Sequence, residues 1–107
     1  MDDFLRKSLL YDYYNGLLTP KQRDIYALYY HNDMSLSEIA ANSDTTPQAV
    51  SDMLKRVEKL LEKYEEHLRL VENRIVIKEK LELAASLAVG DNARQLKSIL
   101  SEILDRV

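Results

Sequence analysis

The sequence contains no cysteine, and this absence excludes several kinds of chemistry. Disulfide bonds, iron–sulfur clusters, thiol catalysis and cysteine-ligated zinc all require that residue. Only two glycines occur among the 107 residues, so no glycine-rich loop is available to bind a phosphate or a dinucleotide. His31 and His67 are isolated and lack the His-Glu-x-x-His spacing of a helical zinc site. We therefore expect neither enzyme activity, nor a metal or cofactor, nor a small-molecule substrate.

Long apolar segments are also missing. Uncharged stretches such as residues 25–30 and 83–89 are far shorter than the about 20 residues that a membrane helix needs. The acidic Asp2 and Asp3 stand where a secretory signal would carry positive charge. With 46% hydrophobic and 31% charged residues, the composition is typical of a folded domain. These features predict a cytoplasmic protein that does not insert into membranes.

Helical periodicity runs along the whole chain, and it predicts an all-α protein. Thr19-Pro20 and Thr46-Pro47 each indicate a helix start, because the hydroxyl can accept a backbone hydrogen bond and proline suits the first turn. Ser35 followed by Glu38 indicates a capping box. We predict helices over residues 2–15, from Pro20 to about 30, from 36 to about 41, and from Pro47 onward.

The ends of the remaining helices are predicted from the two glycines. Gly16 is expected to end the first helix in the left-handed conformation. After Gly90, Asp91 is expected to cap a final amphipathic helix. Between Pro47 and Gly90 about forty residues contain no proline or glycine. They are expected to form either one helix roughly 60 Å long or two helices that meet within residues 73–77, where β-branched residues cluster.

The helix that starts at Pro47 carries apolar residues at alternating steps of four and three, which is a heptad seam. We expect its first part to pack inside the chain and its later part to join two copies in a homodimer. The predicted domains are a helix-turn-helix domain at 1–58 and a helical extension for packing and oligomerisation at 59–107. The residues predicted for the dimer contact are Leu61, Tyr64, Leu68, Val71 and Ile75.

Residues 35–56 have the organisation of a helix-turn-helix. This motif needs a small residue where the two helices touch, and Ala40 meets that need. Asp44 can adopt the positive φ of the turn, and Val50 and Leu54 can anchor the second helix to the core. The short first helix would cross the DNA backbone while the helix from Pro47 enters the major groove.

The segments LTPKQRDI (18–25), LSEIA (36–40) and QAVSDMLKR (48–56) resemble region 4 of sigma factors. Within that superfamily the whole chain resembles the YlxM family of small bacterial helix-turn-helix proteins, which are encoded beside genes of the signal recognition particle. The one departure is Asp44, where the general pattern prefers glycine. The resemblance implies a regulatory role in the signal recognition particle pathway.

A DNA complex would use exposed side chains near the start of the helix from Pro47. Gln48 suits adenine, and Lys55 suits guanine or phosphate. Residues 19–59, however, carry five basic and six acidic residues, which gives a net charge of −1 and little counterion-release drive. The alternative is therefore an adaptor that docks on the signal recognition particle GTPase or its RNA without reading DNA. The predicted nucleic-acid-binding residues are Arg23, Thr46, Gln48, Ser51, Lys55, Arg56 and Lys59.

Two further expectations concern the packing of side chains. Tyr13 and Tyr29 are expected in the core, whereas Tyr11 and Tyr30 are expected to face a partner. On the helix from Pro47, lysines and glutamates alternate along neighbouring rows. These rows predict ion pairs between residues three apart, namely Lys55–Glu58 and Lys59–Glu62.

Overall fold

Six α-helices and one 3-10 turn make up most of the computed structural model, which describes residues 2–88, 90 and 92–106. No strand occurs within these residues, and the all-α prediction is confirmed. Nor is any helix in this part of the chain apolar enough over sufficient length to cross a membrane. The helices are α1 (Asp3–Tyr14), α2 (Pro20–Tyr30), α3 (Leu36–Asn42), α4 (Pro47–Leu68), α5 (Leu70–Leu87) and α6 (Ala93–Arg106), and the 3-10 turn spans Asn15–Leu17.

The helix starts that local signals predicted are confirmed. Thr19 and Ser35 each form a capping box, in which the side chain accepts a hydrogen bond from the third helical N–H and the third side chain accepts one from the cap. The Thr46 hydroxyl accepts a hydrogen bond of 3.1 Å from the Ala49 N–H at the start of α4. These side chains satisfy N–H groups that have no partner inside the helix.

Two predicted helix ends are wrong. Gly16 lies in the 3-10 turn without a positive φ, and this turn is closed by a 3.1 Å hydrogen bond from the Leu18 N–H to the Asn15 carbonyl. The long helix breaks at Arg69, which has a φ of 53°, and residues 73–77 lie inside α5. A left-handed residue cannot continue a right-handed helix. The predicted cap Asp91 lies outside the described residues.

The break at Arg69 also separates two compact units, Met1–Leu68 and Arg69–Val107. The boundary predicted between residues 58 and 59 falls inside α4, which is continuous there because a single row of buried side chains runs through it. The first unit contains α1 to α4 and the helix-turn-helix. The second unit consists of α5 and α6, which contact each other.

One face of α4 forms the centre of the first unit. Val50, Leu54, Val57 and Leu61 are buried on this face, which contacts α1, α2 and α3. The predicted seam continued to Tyr64, but Tyr64 is half-buried and Glu65 is buried at 5% exposure. A straight helix of 3.6 residues per turn drifts away from a strict seven-residue repeat. The core position one turn after Leu61 is therefore taken by Glu65 and not by Tyr64.

Glu65 is joined to α1 by a hydrogen bond inside the core. The Tyr14 hydroxyl donates to the Glu65 carboxylate at 2.6 Å, and both side chains are buried. A carboxylate that accepts a hydrogen bond loses less free energy on burial than an isolated one. This contact fixes the end of α1 against the last turns of α4.

The tyrosine predictions are partly wrong. Tyr14 and Tyr26 are in the core, whereas Tyr13 and Tyr29 are exposed. Tyr11, which we expected to face a partner, stacks on Tyr26 with 5.2 Å between ring centroids. Helical periodicity alone does not decide which of two adjacent tyrosines takes a core position. In the pair Tyr13 and Tyr14, the buried residue is Tyr14, next to the one that was predicted.

The turn of the helix-turn-helix has the predicted geometry. Asp44 has a φ of 54°, and Ala40 is buried where the two helices meet. The Thr45 N–H donates to the Ala40 carbonyl at 3.1 Å, which is the long hydrogen bond of a Schellman motif. Asp44 therefore occupies the left-handed position that ends α3 and turns the chain into α4.

We expect Tyr14→Phe to lower the free energy of unfolding by about 1.5–3 kcal/mol, because it removes a donor to a buried carboxylate. Urea denaturation followed by circular dichroism measures this change. The matched control is Tyr13→Phe at the exposed neighbour, for which we expect a change below about 0.5 kcal/mol. Equal effects of the two variants would contradict a structural role for the Tyr14–Glu65 contact.

We expect Asp44→Gly to raise the free energy of unfolding by about 0.5–1 kcal/mol, because glycine adopts positive φ without steric cost. Asp44→Asn is the control for loss of charge, since asparagine keeps a side chain that tolerates this conformation. Thermal denaturation of both variants checks the prediction. A decrease in stability for Asp44→Gly would show that the Asp44 carboxylate stabilises the fold by more free energy than its positive φ costs.

Candidate nucleic-acid interface

The candidate site is the face of α4 that lies opposite the core. At 100° per residue, the positions farthest from Val50 and Leu61 form one exposed strip along the helix. We call this strip the outward face. Its members are Gln48, Asp52, Lys55, Arg56, Lys59, Lys63 and Glu66, all of them exposed.

Three predicted phosphate-binding residues lie together on the outward face. Lys55, Arg56 and Lys59 line one shallow groove together with Asp52. A second groove continues along the helix, and it is lined by Lys55, Lys59 and Lys63 together with Glu58, Glu62 and Glu66. From residue 55 to residue 63 the four cations span about 12 Å at 1.5 Å per residue, so they form a continuous basic ridge.

The other predicted contact residues are more scattered. Thr46 caps α4 with its hydroxyl, and Ser51 is half-buried at the side of the outward face. Arg23 lies on α2 and is half-buried, and it lines neither groove. The structure therefore brings four of the seven predicted residues onto the outward face: Gln48, Lys55, Arg56 and Lys59.

The predicted base-reading residue Gln48 is engaged by its own helix. Its Nε2 donates to Oδ1 of Asp52 at 2.9 Å, one turn along α4. This pair holds the Gln48 amide in place and partly satisfies the Asp52 carboxylate. The carboxylate nevertheless keeps a negative charge on the outward face, where it opposes binding of a phosphate.

The predicted ion pairs within α4 are wrong. Glu62 binds Arg6 of α1 at 2.7 Å, and Glu58 lies 3.6 Å from Lys7 of α1. Glu58 also accepts a hydrogen bond from the Tyr30 hydroxyl. These acids lie on the flank of α4 that faces α1, so they contact the neighbouring helix instead of the lysines three residues away.

The contacts that Glu58 and Glu62 make with α1 and α2 change proton affinities as well as packing. The hydrogen bond from Arg6 to Glu62 raises the pKa of the Arg6 guanidinium. Burial, followed by the hydrogen bond to Glu58, raises the pKa of the Tyr30 hydroxyl. Both groups are protonated at neutral pH at their ordinary pKa values already, and the raised pKa extends these contacts with the α4 acids to more alkaline solution.

The basic ridge is left without acidic partners in the described part of the chain. No carboxylate there lies within 4.0 Å of Lys55, Arg56, Lys59 or Lys63. The outward face carries these four cations and the two anions Asp52 and Glu66, a balance of +2. The sequence contained one signal for this arrangement, the basic pair Arg6-Lys7 on α1, whose importance depends on tertiary packing.

The residues predicted for a dimer seam occupy different environments. Leu61 is buried inside the first unit and Val71 is buried as well, so neither is available to a second copy. Tyr64 and Ile75 are half-buried, and Leu68 is 49% exposed. Contact between two copies through Leu68 stays a prediction.

Comparison with known proteins agrees with this architecture. The sequence profile of the UPF0122 family, described as “Putative helix-turn-helix protein, YlxM / p13 like”, matches residues 1–103. The UPF0122 protein of Caldanaerobacter subterraneus subsp. tengcongensis is 52% identical over 81 residues, which cover 76% of this chain and 69% of that protein.

Two other relatives match over the full length of this chain. The UPF0122 protein of Clostridium kluyveri is 40% identical and is also covered completely. That of Shouchella clausii is 38% identical, with 95% of its length covered. No solved structure matches. The helical architecture, the helix-turn-helix and these matches together assign the chain to the UPF0122 family of YlxM/p13-like helix-turn-helix proteins.

Proposed function

We propose that this chain is a DNA-binding regulatory protein whose α4 lies in the major groove and whose α3 crosses the DNA backbone. The observation that carries the proposal is the basic ridge of Lys55, Arg56, Lys59 and Lys63, whose neighbouring acids Glu58 and Glu62 bind α1. A phosphate that approaches this ridge meets four cations with no carboxylate within ion-pairing distance among the described residues. An exposed α-helix also has the width that the major groove admits.

The side chains on α4 divide into two roles. The four cations of the basic ridge bind phosphates and set the position of the helix, without reading sequence. Gln48 and Asp52 near its start act as a pair, in which the amide suits adenine and the carboxylate accepts from the N4 amine of cytosine. Ser51 and Thr46 add hydroxyls beside them, and Arg23 supplies a backbone contact from α2.

We expect binding that weakens with salt at a slope set by the basic ridge. Four phosphate contacts correspond to a slope of about −3.6 in log K against log salt concentration. Lys55→Glu with Arg56→Glu should reduce affinity at least tenfold at low salt, because each substitution replaces an attraction to phosphate by a repulsion. Fluorescence anisotropy with duplex DNA from upstream of the protein's own gene measures both quantities.

The matched control is Arg94→Glu with Lys97→Glu, two exposed cations on α6 that give the same change in net charge. We expect this control pair to keep most of the affinity. Equal losses for the two double variants would indicate an effect of net charge alone. Absence of any salt-dependent DNA binding would contradict the proposed function.

The mixed charge of the outward face favours a second candidate, an adaptor for the signal recognition particle GTPase or its RNA. Asp52 and Glu66 interrupt the basic ridge, and Asp52 occupies the amide of Gln48. A surface with both signs of charge suits a folded partner with complementary charges.

The same purified protein, tested against the GTPase, the particle RNA and duplex DNA, separates the two candidates. If the adaptor candidate is right, we expect the GTPase or the RNA to bind and duplex DNA to fail. Asp52→Ala should then weaken binding to the GTPase, because it removes one charge of the mixed surface. Binding to neither the GTPase nor the RNA would contradict this candidate.

A further inference from the structure

The second unit is a helical hairpin with too small a core of its own. It spans 39 residues, Arg69–Val107, and contains α5 and α6 joined by a connection of five residues. Units below about 40 residues usually need disulfides, a metal or association with another surface. The chain has no cysteine, and no group of three or more potential ligands among the described residues is arranged to hold a metal. Association with another surface is the option that remains.

The hairpin buries one side of each helix and leaves a neighbouring side exposed. Leu81 and Ala85 on α5 and Leu100 and Leu104 on α6 are buried or half-buried, and they mark the sides by which the two helices contact. The other apolar residues of α6, Leu96, Ile99 and Ile103, are 40–47% exposed. On α5, Ile77 is 43% exposed and Ala84 is also exposed, and Val76, Leu83 and Leu87 on the far side of the helix are 41–68% exposed.

These exposed residues lie on the same face of the hairpin. On both helices they are rotated by roughly 60–120° from the contact side in the same sense, at 100° per residue. In an antiparallel pair this common rotation brings both rows to one face. We call it the hairpin face, and it consists of Ile77, Ala84, Leu96, Ile99 and Ile103. Its four large aliphatic side chains make a patch on the order of a few hundred Å², a size that marks interaction sites.

Charges along the borders of the hairpin face indicate which partner covers it. Lys80 borders the face on the outer edge of α5, and Glu102 borders it on the outer edge of α6; both are exposed. Neither forms an ion pair within the described part of the chain. Because the connection is centred near residue 90, Lys80 is level with Leu100, and Glu102 is about 3 Å farther along at 1.5 Å per residue.

A second copy provides the complementary borders. When two hairpin faces are related by a two-fold axis parallel to the helices, α5 of each copy lies over α6 of the other. Lys80 then lies beside Glu102 of the second copy, and the symmetry repeats this pair at the opposite edge. A two-fold axis across the helices would instead place lysine against lysine and glutamate against glutamate. Both arrangements make all neighbouring helices antiparallel, as in an up-and-down four-helix bundle, so only the border charges distinguish them.

We propose that the hairpin face binds the hairpin face of a second copy of this chain, which forms a four-helix bundle with α5 of each copy against α6 of the other. This interface uses different residues from the seam through Leu68. It does not depend on whether the outward face of α4 binds DNA.

The first test is the mass of the full-length protein by sedimentation and light scattering. We expect a dimer for the wild type and a monomer for Ile99→Lys with Ile103→Lys. Because both isoleucines are exposed within one copy, the far-UV helical signal should be retained. Leu83→Lys, at an exposed leucine on the far side of α5, is the matched control and should remain a dimer, while Leu68→Lys tests the competing seam. A monomeric wild type, or a dimer lost only in Leu68→Lys, would overturn the proposal.

The second test uses charge reversal and leaves the apolar core of the bundle intact. Lys80→Glu alone and Glu102→Lys alone should each weaken the dimer by about threefold to tenfold at low salt, the range typical of exposed ion pairs. The double reversal should restore wild-type affinity because it re-creates both pairs. If the single reversals have no effect, the proposed arrangement of α5 over α6 is overturned. The crosswise arrangement gives that result, since like charges already face each other in it.

Discussion

The first unit depends on how α1 binds one flank of α4. Three glutamates on that flank, Glu58, Glu62 and Glu65, all contact neighbouring helices, through Lys7, Arg6 and Tyr14 respectively. These contacts fix the rotation of α4 about its own axis. One rotation then determines both surfaces of the helix, because the apolar row that faces the core and the basic row that faces outward are opposite sides of the same cylinder. An ion pair at the surface contributes little stability by itself, but two ion pairs and one buried hydrogen bond along the same flank together fix its orientation.

This arrangement explains how a chain with a net charge of −3 can carry a basic face. Charges act on a ligand according to their position, and the charges of Glu58 and Glu62 are partly compensated by Lys7 and Arg6. The sum over residues 19–59 gives −1 and hides this separation. Asp52 is the exception, since it remains on the outward face and holds the amide of Gln48. The start of α4 therefore carries less net positive charge than its middle.

Features set by residues close together in sequence were predictable. Thr19, Ser35 and Thr46 cap their helices as expected, and Asp44 has the positive φ that the turn requires, because these conformations depend on side chains within a few positions. Features set by distant contacts were not. Periodicity alone did not distinguish Tyr13 from Tyr14, since the choice depends on the position of Glu65, which is 51 residues away. The partners of Glu58 and Glu62 were missed for the same reason, because α1 is closer to these acids than the lysines on their own helix.

The break at Arg69 is a local backbone feature that changes which distant contacts the following residues make. An uninterrupted heptad pattern predicted one long seam, but a single left-handed residue ends α4, and the second unit then has its own hydrophobic pattern. On α5 the pattern serves two sides, the contact with α6 and the exposed row at Ile77 and Ala84. A helix that is apolar on more than one side is typical of a buried position. The long seam is therefore better understood as two surfaces of separate units, of which the first fills a core within one chain and the second requires a covering surface.

In a dimer that forms through the second surface, two basic ridges belong to one particle. If each outward face binds DNA as proposed, such linked sites bind with higher avidity than either site alone, which would offset the modest charge of each face.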